Sequence, residues 1–147
     1  MSKEAIRLAR NLIKVGIVNS VNPEKGSVDV LFEDKDRAIF DDLPMLNFEY
    51  NLPDVGDQVL CVFLGNGLEN GFCLGGFYSE VFKPPTTNKE IYMKKLDDST
   101  SIQYDKSTKT LKVSSTNPVT LEGDFIIHGN LTVYGNVNAT GTITGIG

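Results

Sequence analysis

The chain has 147 residues and a formal net charge of −5, with 40% apolar and 22% charged residues. These fractions are typical of a folded protein and argue against a disordered chain or a small disulfide-stapled one. No apolar run is long enough to span a membrane, and the N-terminus lacks the features of a secretory signal, so we expect a cytoplasmic protein unless another machine exports it.

The first predicted element is a short helix over residues 3 to 14. Two stripes recur there at helical spacing, one basic and one apolar: Lys3, Arg7, Arg10 and Lys14, and Ile6, Ala9 and Ile13. The basic stripe indicates either a solvated face or a docking element for an acidic partner. The rest of the chain is acidic and repels phosphate backbones, so nucleic acid is not expected as a partner.

From Val15 the apolar residues alternate, which predicts β-strands up to residue 80. The first two strands form a hairpin around a turn at residues 22 to 26, with Val15 and Ile17 on one side of the first strand. Three more apolar runs follow, broken at Pro44, Pro53, Gly56 and the Gly65–Gly67 corner. Five short strands in so few residues favour a small closed barrel.

Cys61 and Cys73 lie inside apolar runs, with no histidine or second cysteine at ligand spacing. We interpret them as small buried thiols rather than as metal ligands or a redox centre.

Residues 81 to 90 are predicted to be a linker, because Pro84 and Pro85 hold the backbone extended. Residues 91 to 120 are predicted to form a β-hairpin neck. Turn signals lie at residues 97 to 99 and 105 to 108, and Leu111 and Val113 face the same way.

The C-terminal segment, residues 121 to 147, repeats every six residues. From Leu121 every odd position is apolar or glycine, and the glycines are Gly123, Gly129, Gly135, Gly141 and Gly147. Such alternation predicts one buried face along the whole segment. A single straight strand of this length is far outside the usual range, so the glycines are predicted to mark recurrent bends.

One chain cannot bury this face alone, because a solenoid needs on the order of three coils of about eighteen residues each. Three copies wound around a common axis can, as an intertwined trimeric β-helix. The predicted trimer core is Phe125, Ile127, Leu131, Val133, Val137 and Ile143. The alternative is a flexible tail, but a tail that buries no face does not require apolar residues at every odd position.

Two groups of residues resemble the phage baseplate assembly protein V family, the central spikes of contractile tails. Residues 53 to 59 and 71 to 78 (PDVGDQV and GFCLGGFY) are similar to the family's barrel signature. Residues 98 to 105 with 111 to 113 (DSTSIQYD and LKV) resemble the strands that open the spike. The family also includes relatives in type VI secretion spikes and phage-tail-like bacteriocins.

The resemblance implies a mainly β fold, with a barrel of oligonucleotide/oligosaccharide-binding type over residues 15 to 80. It implies a homotrimer that is made in the bacterial cytoplasm and assembled into a baseplate, on hub or tail-tube proteins. The β tails would point toward the target cell and pierce its envelope when the sheath contracts.

The sequence departs from the family at the tip. Some members bind iron there through a His-x-His pair, whereas His128 is the single histidine here and has Ile126 and Asn130 beside it. No tip metal of that kind is therefore expected. The apolar alternation continues to Gly147, so we expect either a separate tip-capping protein or a blunt spike.

No constellation of residues predicts an enzyme, and no catalytic, cofactor-binding or metal-binding residues are assigned. His128 and Asp124 would share a polar face without a cleft, and Asp41–Asp42 and Asp97–Asp98 are interpreted as turn residues. Two other functions remain open from the residues: the shaft of a tail fibre or adhesin, and a ligand-binding barrel.

Overall fold

The computed structural model describes residues 1–34, 37–66 and 70–145. It is mainly β, with one short helix and two antiparallel sheets. The chain divides into two compact units, Met1–Thr87 and Asn88–Gly147. Within the described ranges, no helix has the length and apolar character needed to cross a bilayer.

The predicted N-terminal helix is present as α1, Lys3–Leu12. Its N-cap is Ser2, whose hydroxyl oxygen accepts a hydrogen bond from the Ala5 N–H at 3.1 Å. The helix ends two residues earlier than predicted, because Ile13 adopts extended backbone geometry and begins the first strand. No residue of α1 is buried.

The first unit contains a five-stranded sheet in which all neighbours pair antiparallel. Its strands are β1 (Ile13–Asn22), β2 (Ser27–Leu31), β3 (Ile39–Pro44), β4 (Gln58–Phe63) and β5 (Gly71–Gly75). Their spatial order is β3-β2-β1-β4-β5, so the long first strand is central. The five predicted strands are therefore present, although the predicted Gly65–Gly67 corner lies partly outside the described residues.

One face of this sheet carries the core: Val18, Val28, Val30, Phe32, Leu43, Val59, Cys61 and Cys73. Phe32, Phe40 and Phe63 pack edge to face, with ring centroids 5.1 to 5.7 Å apart. This arrangement is the favoured geometry for aromatic rings and adds to the burial of their apolar area.

Val15 and Ile17 lie on one side of β1, as predicted, but the core packs mainly against the other side. Gly16 and Val18 are buried, whereas Val15 is exposed and Ile17 is only partly buried. Gly16 faces inward because it passes close to β2: a Cβ at this position would lie 2.5 Å from Val30 Cγ1. A bulge between Val18 and Ser20 then changes the register, and a period-two pattern cannot anticipate such a change.

The predicted closed barrel is not formed. In the described ranges, the end strands β3 and β5 form no ladder with each other, and Met45, directly after β3, makes an isolated parallel bridge to Cys73. Pro44, the last residue of β3, has no N–H to donate to a ladder. The Met45 N–H donates instead to the Gly26 carbonyl at 2.9 Å. The sheet therefore stays open along this seam.

The second unit begins with a three-stranded antiparallel sheet, one strand more than the predicted hairpin. Its strands are β6 (Ile91–Lys95), β7 (Ser101–Asp105) and β8 (Thr110–Ser114), in that spatial order. The predicted linker, residues 81 to 90, contains no strand.

The described part of the C-terminal segment, residues 121 to 145, has no strand within a single chain. Gly123, Gly129 and Gly135 have φ values of 120°, 143° and 149°. Residues with side chains rarely adopt this backbone conformation, so glycine is needed at these three positions. Gly141 does not share it, and Gly147 lies outside the described residues. The predicted trimeric β-helix is not shown by the single chain.

We predict that Gly16→Ala destabilises the first unit by about 1–3 kcal/mol, because the added methyl overpacks the contact between β1 and β2. Besides Val30, the new Cβ would meet the Leu31 carbonyl at 2.8 Å and the Phe32 ring at 2.9 Å. Urea unfolding followed by circular dichroism measures the effect.

Gly76→Ala is the matched control, because its nearest neighbour would be the Gln58 carbonyl at an ordinary 3.7 Å. Equal unfolding midpoints for the two variants would contradict the proposed close approach at Gly16.

Candidate assembly interface

The β6–β8 sheet carries an apolar face that one chain leaves uncovered. The strand register places Tyr92 opposite Tyr104 and Tyr104 opposite Leu111, and it places Ile102 opposite Val113. These five side chains therefore project from the same face. Tyr92 is 72% exposed and Leu111 67% exposed.

The opposite face of this sheet carries the half-buried Ile91 and Met93 in its first strand and is polar in its second and third strands, while Lys94 shares the face of Ile102. Gln103 pairs with Lys112 and Asp105 pairs with Thr110. A sheet with one apolar and one polar face normally packs the apolar face against another layer. The apolar face is therefore expected to contact another surface.

Two aspartates fix the turns of this sheet. The Asp97 carboxylate accepts hydrogen bonds from the Ser99 N–H at 2.7 Å and from the Ser99 hydroxyl at 3.0 Å. The Asp105 carboxylate accepts the Ser107 hydroxyl at 2.6 Å and the Ser107 N–H at 2.9 Å. These bonds lower the pKa of both carboxyl groups, so both aspartates are charged at neutral pH.

The turns are therefore defined locally, by residues adjacent in the sequence. Asp97 acts as the turn residue the sequence predicted. The strands can therefore keep their register although the apolar face is exposed in the single chain.

All six residues of the predicted trimer core are exposed in the single chain, and the structure does not bring them together. Phe125 and Leu131 are 70% and 69% exposed. Ile127, Val133, Val137 and Ile143 are exposed as well. Ile126 and Tyr134, which occupy even positions in the repeat, are also exposed. Every described residue from 116 to 145 is exposed, so this segment has no core of its own.

The sequence reasoning missed three members of the sheet face: Tyr92, Ile102 and Tyr104. It identified only Leu111 and Val113 as sharing a side. A usable signal was present, because Ile102 and Tyr104 alternate with polar residues in the same way. What the sequence lacked was the strand register that joins the three strands into one apolar surface.

The basic stripe of the helix is shorter than predicted, because Lys14 belongs to β1. Its ammonium group contacts the Asp34 carboxylate at 2.6 Å and lies 5.4 Å from the centre of the Phe32 ring. Lys14 thus covers the edge of the aromatic core. Lys3, Arg7 and Arg10 remain on the exposed helix.

Asp41 and Asp42 were predicted to be turn residues. They lie in β3 instead. The Asp42 carboxylate accepts hydrogen bonds from the Lys25 ammonium at 3.0 Å and from the Ser27 hydroxyl at 3.2 Å. The Lys25 contact lowers the pKa of Asp42. Across the described ranges, no three histidine, cysteine, aspartate or glutamate residues are grouped as metal ligands.

A small cavity of about 120 Å³ lies beside the segment that follows β5. Its lining includes Pro53, Gln58, Phe77 and Phe82, and the Phe82 ring stacks on Tyr78 with centroids 6.4 Å apart. The cavity is smaller than the usual small-molecule site. The extended apolar surface of the second unit is therefore the stronger candidate for a functional site.

No protein-family model matches the chain. The chain is similar to the spike protein of Escherichia phage P2, with 29% identity over 129 residues. The aligned region covers 82% of this chain and 60% of the phage P2 protein.

We predict that, if copies of this chain associate through the β6–β8 face, Leu111→Gln weakens the association by about 1.5–3 kcal/mol per chain, because the leucine would be buried there. In an isolated chain the same change should have little effect, since Leu111 is already in water. Light scattering during heating, at fixed protein concentration, measures the dissociation temperature.

Lys112→Gln is the matched control, because Lys112 is the next residue and projects from the opposite face. The interface assignment is wrong if the two variants dissociate at the same temperature.

Proposed function

We propose that three copies of this chain form the central spike of a contractile phage tail or of a phage-tail-like bacteriocin. In this assembly the C-terminal segments wind around a common axis and the β6–β8 sheets cover one another. The protein then works as a mechanical part, and no catalytic step is needed for its function.

One observation carries the proposal: the described part of the C-terminal segment is wholly exposed, yet every odd position in it is apolar or glycine. A segment that stays in water gains nothing from such order. Each large apolar side chain moved from water into a core contributes about 1.5–3 kcal/mol. The six proposed core positions, repeated in three chains, supply enough apolar surface for a continuous core.

Three chains fit the repeat better than one. A coil of about eighteen residues has three sides, and the segment is too short to stack the number of coils that a lone solenoid needs. With three chains, each side of every coil comes from a different copy and every strand edge finds a neighbour. The glycines at six-residue intervals then lie at the bends between sides.

The similarity to the phage P2 spike protein supports the same function from an independent direction. The finer assignment is to the baseplate assembly protein V family, through the signature segments at residues 53 to 59 and 71 to 78. The first unit would then be an open relative of the oligonucleotide/oligosaccharide-binding barrel. Its strand pairing and the parallel Met45–Cys73 bridge between the sheet ends support this assignment.

In the assembled tail, the first unit would dock on hub or tube proteins and the C-terminal segment would lead through the cell envelope. A shared core suits this task, because the spike can lose its structure only if the chains separate or bend together. The exposed helix α1, with Lys3, Arg7 and Arg10 in water, is a candidate contact for an acidic surface of the hub.

We predict that Val133→Asp abolishes trimer formation, because three carboxylates would meet in one buried layer at a cost of several kcal/mol each. Thr132→Asp, at the adjacent outward position, should be tolerated. Light scattering after size-exclusion chromatography should give three times the chain mass of 16.1 kDa for the unchanged protein and for Thr132→Asp. A heat-resistant trimer of Val133→Asp would refute the proposed packing.

The position of the protein in the particle separates the spike from the fibre shaft. Electron microscopy of particles carrying a tagged chain should place the label on the tail axis, at the baseplate. Label on peripheral fibres would favour the adhesin shaft, and a monomer in solution would favour the ligand-binding barrel.

A further inference from the structure

The two cysteines of the chain face each other across the last strand pair of the first sheet. Cys61 in β4 and Cys73 in β5 are direct register partners. Both side chains are buried and both thiols are free. The sequence reasoning treated them as two unrelated core residues, because only the register brings them together.

The hydrogen-bond pattern shows which type of strand pair they occupy. The Leu64 N–H donates to the Asn70 carbonyl at 2.9 Å, which makes Leu64 and Asn70 a hydrogen-bonded pair. Hydrogen-bonded and non-hydrogen-bonded pairs alternate along an antiparallel ladder. Three positions further on, Cys61 and Cys73 therefore form a non-hydrogen-bonded pair.

Side chains approach most closely at such positions. The Cα atoms of a non-hydrogen-bonded pair are about 4.5 Å apart, which is within the range of about 4.4–6.8 Å found for disulfides. Two cysteines can therefore be joined here without separating the strands.

The two thiols also interact. The contact with Cys73 raises the pKa of the Cys61 thiol, and burial acts in the same direction. The hydrogen bond from Cys61 lowers the pKa of the Cys73 thiol, with a further contribution from the Gly75 backbone. The two sulfur atoms are therefore close enough to influence each other's ionisation.

We propose that Cys61 and Cys73 are an oxidisable pair, a modification site that closes into a cross-strand disulfide when the folded protein meets a peroxide. In the first step one of the two sulfurs attacks one peroxide oxygen, the O–O bond breaks, and a sulfenic acid and one water form. In the second step the other sulfur displaces the hydroxyl group as a second water. Two electrons pass from the thiols to the peroxide.

The pair lies at the margin of the sheet, because β5 is the end strand, and both side chains are buried there. A cleft of about 410 Å³ lies along the seam between β3 and β5, and its lining includes Leu43, Pro44, Gly71 and Phe72. Gly71 lies two residues before Cys73, on the same face of β5. The new bond would tie the end strand to the rest of the sheet beside the unclosed seam.

Whether the disulfide forms depends on the redox conditions of the compartment that holds the protein. The pair stays reduced in a bacterial cytoplasm and becomes oxidisable outside the cell. This last step rests on the proposed function, since it requires that the protein leave the cell in a particle. The chemistry of the pair does not depend on it.

The test uses the full chain, reduced, freed of reductant and treated with hydrogen peroxide under native conditions. Samples are then unfolded in an alkylating agent and analysed by intact mass and peptide mapping. We expect both thiols to disappear together and the chain to lose the mass of two hydrogen atoms. Dithiothreitol should restore both thiols.

Cys61→Ser and Cys73→Ser are the matched controls, and neither should show the mass loss within one chain. Three results would overturn the proposal: two alkylatable thiols that survive peroxide in the folded protein, oxygen addition without a sulfur–sulfur bond, or a disulfide between two copies. Light scattering on the same reduced sample reports the oligomeric state separately. Failure of the disulfide is therefore distinguishable from failure of the spike assembly.

Discussion

The second unit of this chain has apolar side chains in excess of what its own backbone can enclose. In the part of the chain that the structure describes, the apolar residues on one face of the β6–β8 sheet are exposed, and the C-terminal segment has no buried residue. Burial of apolar surface is the dominant favourable term in folding, so this unit lacks its main source of stability while it is a single chain. In the proposed trimer, the missing layer comes from the other two copies of the same chain, so no different protein is needed to cover the apolar face.

The first unit differs in this respect. Eight residues form a core with almost no exposure, three phenylalanine rings pack edge to face, and Lys14 covers the rim beside Asp34. This unit has the contacts needed to fold before assembly, whereas the second unit is expected to gain stability with protein concentration.

The sequence predicts elements best where local chemistry decides them. The helix follows from its periodicity and Ser2 cap, and the five strands follow from alternation between turn residues. Prediction failed where two strands must meet. The inward side of β1 depends on Gly16 and a bulge, the open seam depends on Pro44, and the Cys61–Cys73 pair depends on register. The C-terminal segment is a separate case. Its six-residue repeat is visible in the sequence, but in the proposed trimer the surfaces that cover it belong to other copies.

The six-residue phase of the glycines has a consequence for how this segment can change in length. Three glycines with positive φ recur at that interval, and the apolar residues alternate at an interval of two. Deleting a single residue would turn every following side chain to the other face. Deleting two would preserve the faces but displace the glycines from the bends. Only insertions or deletions of whole hexapeptides keep both patterns, so related shafts should differ in length by multiples of this unit.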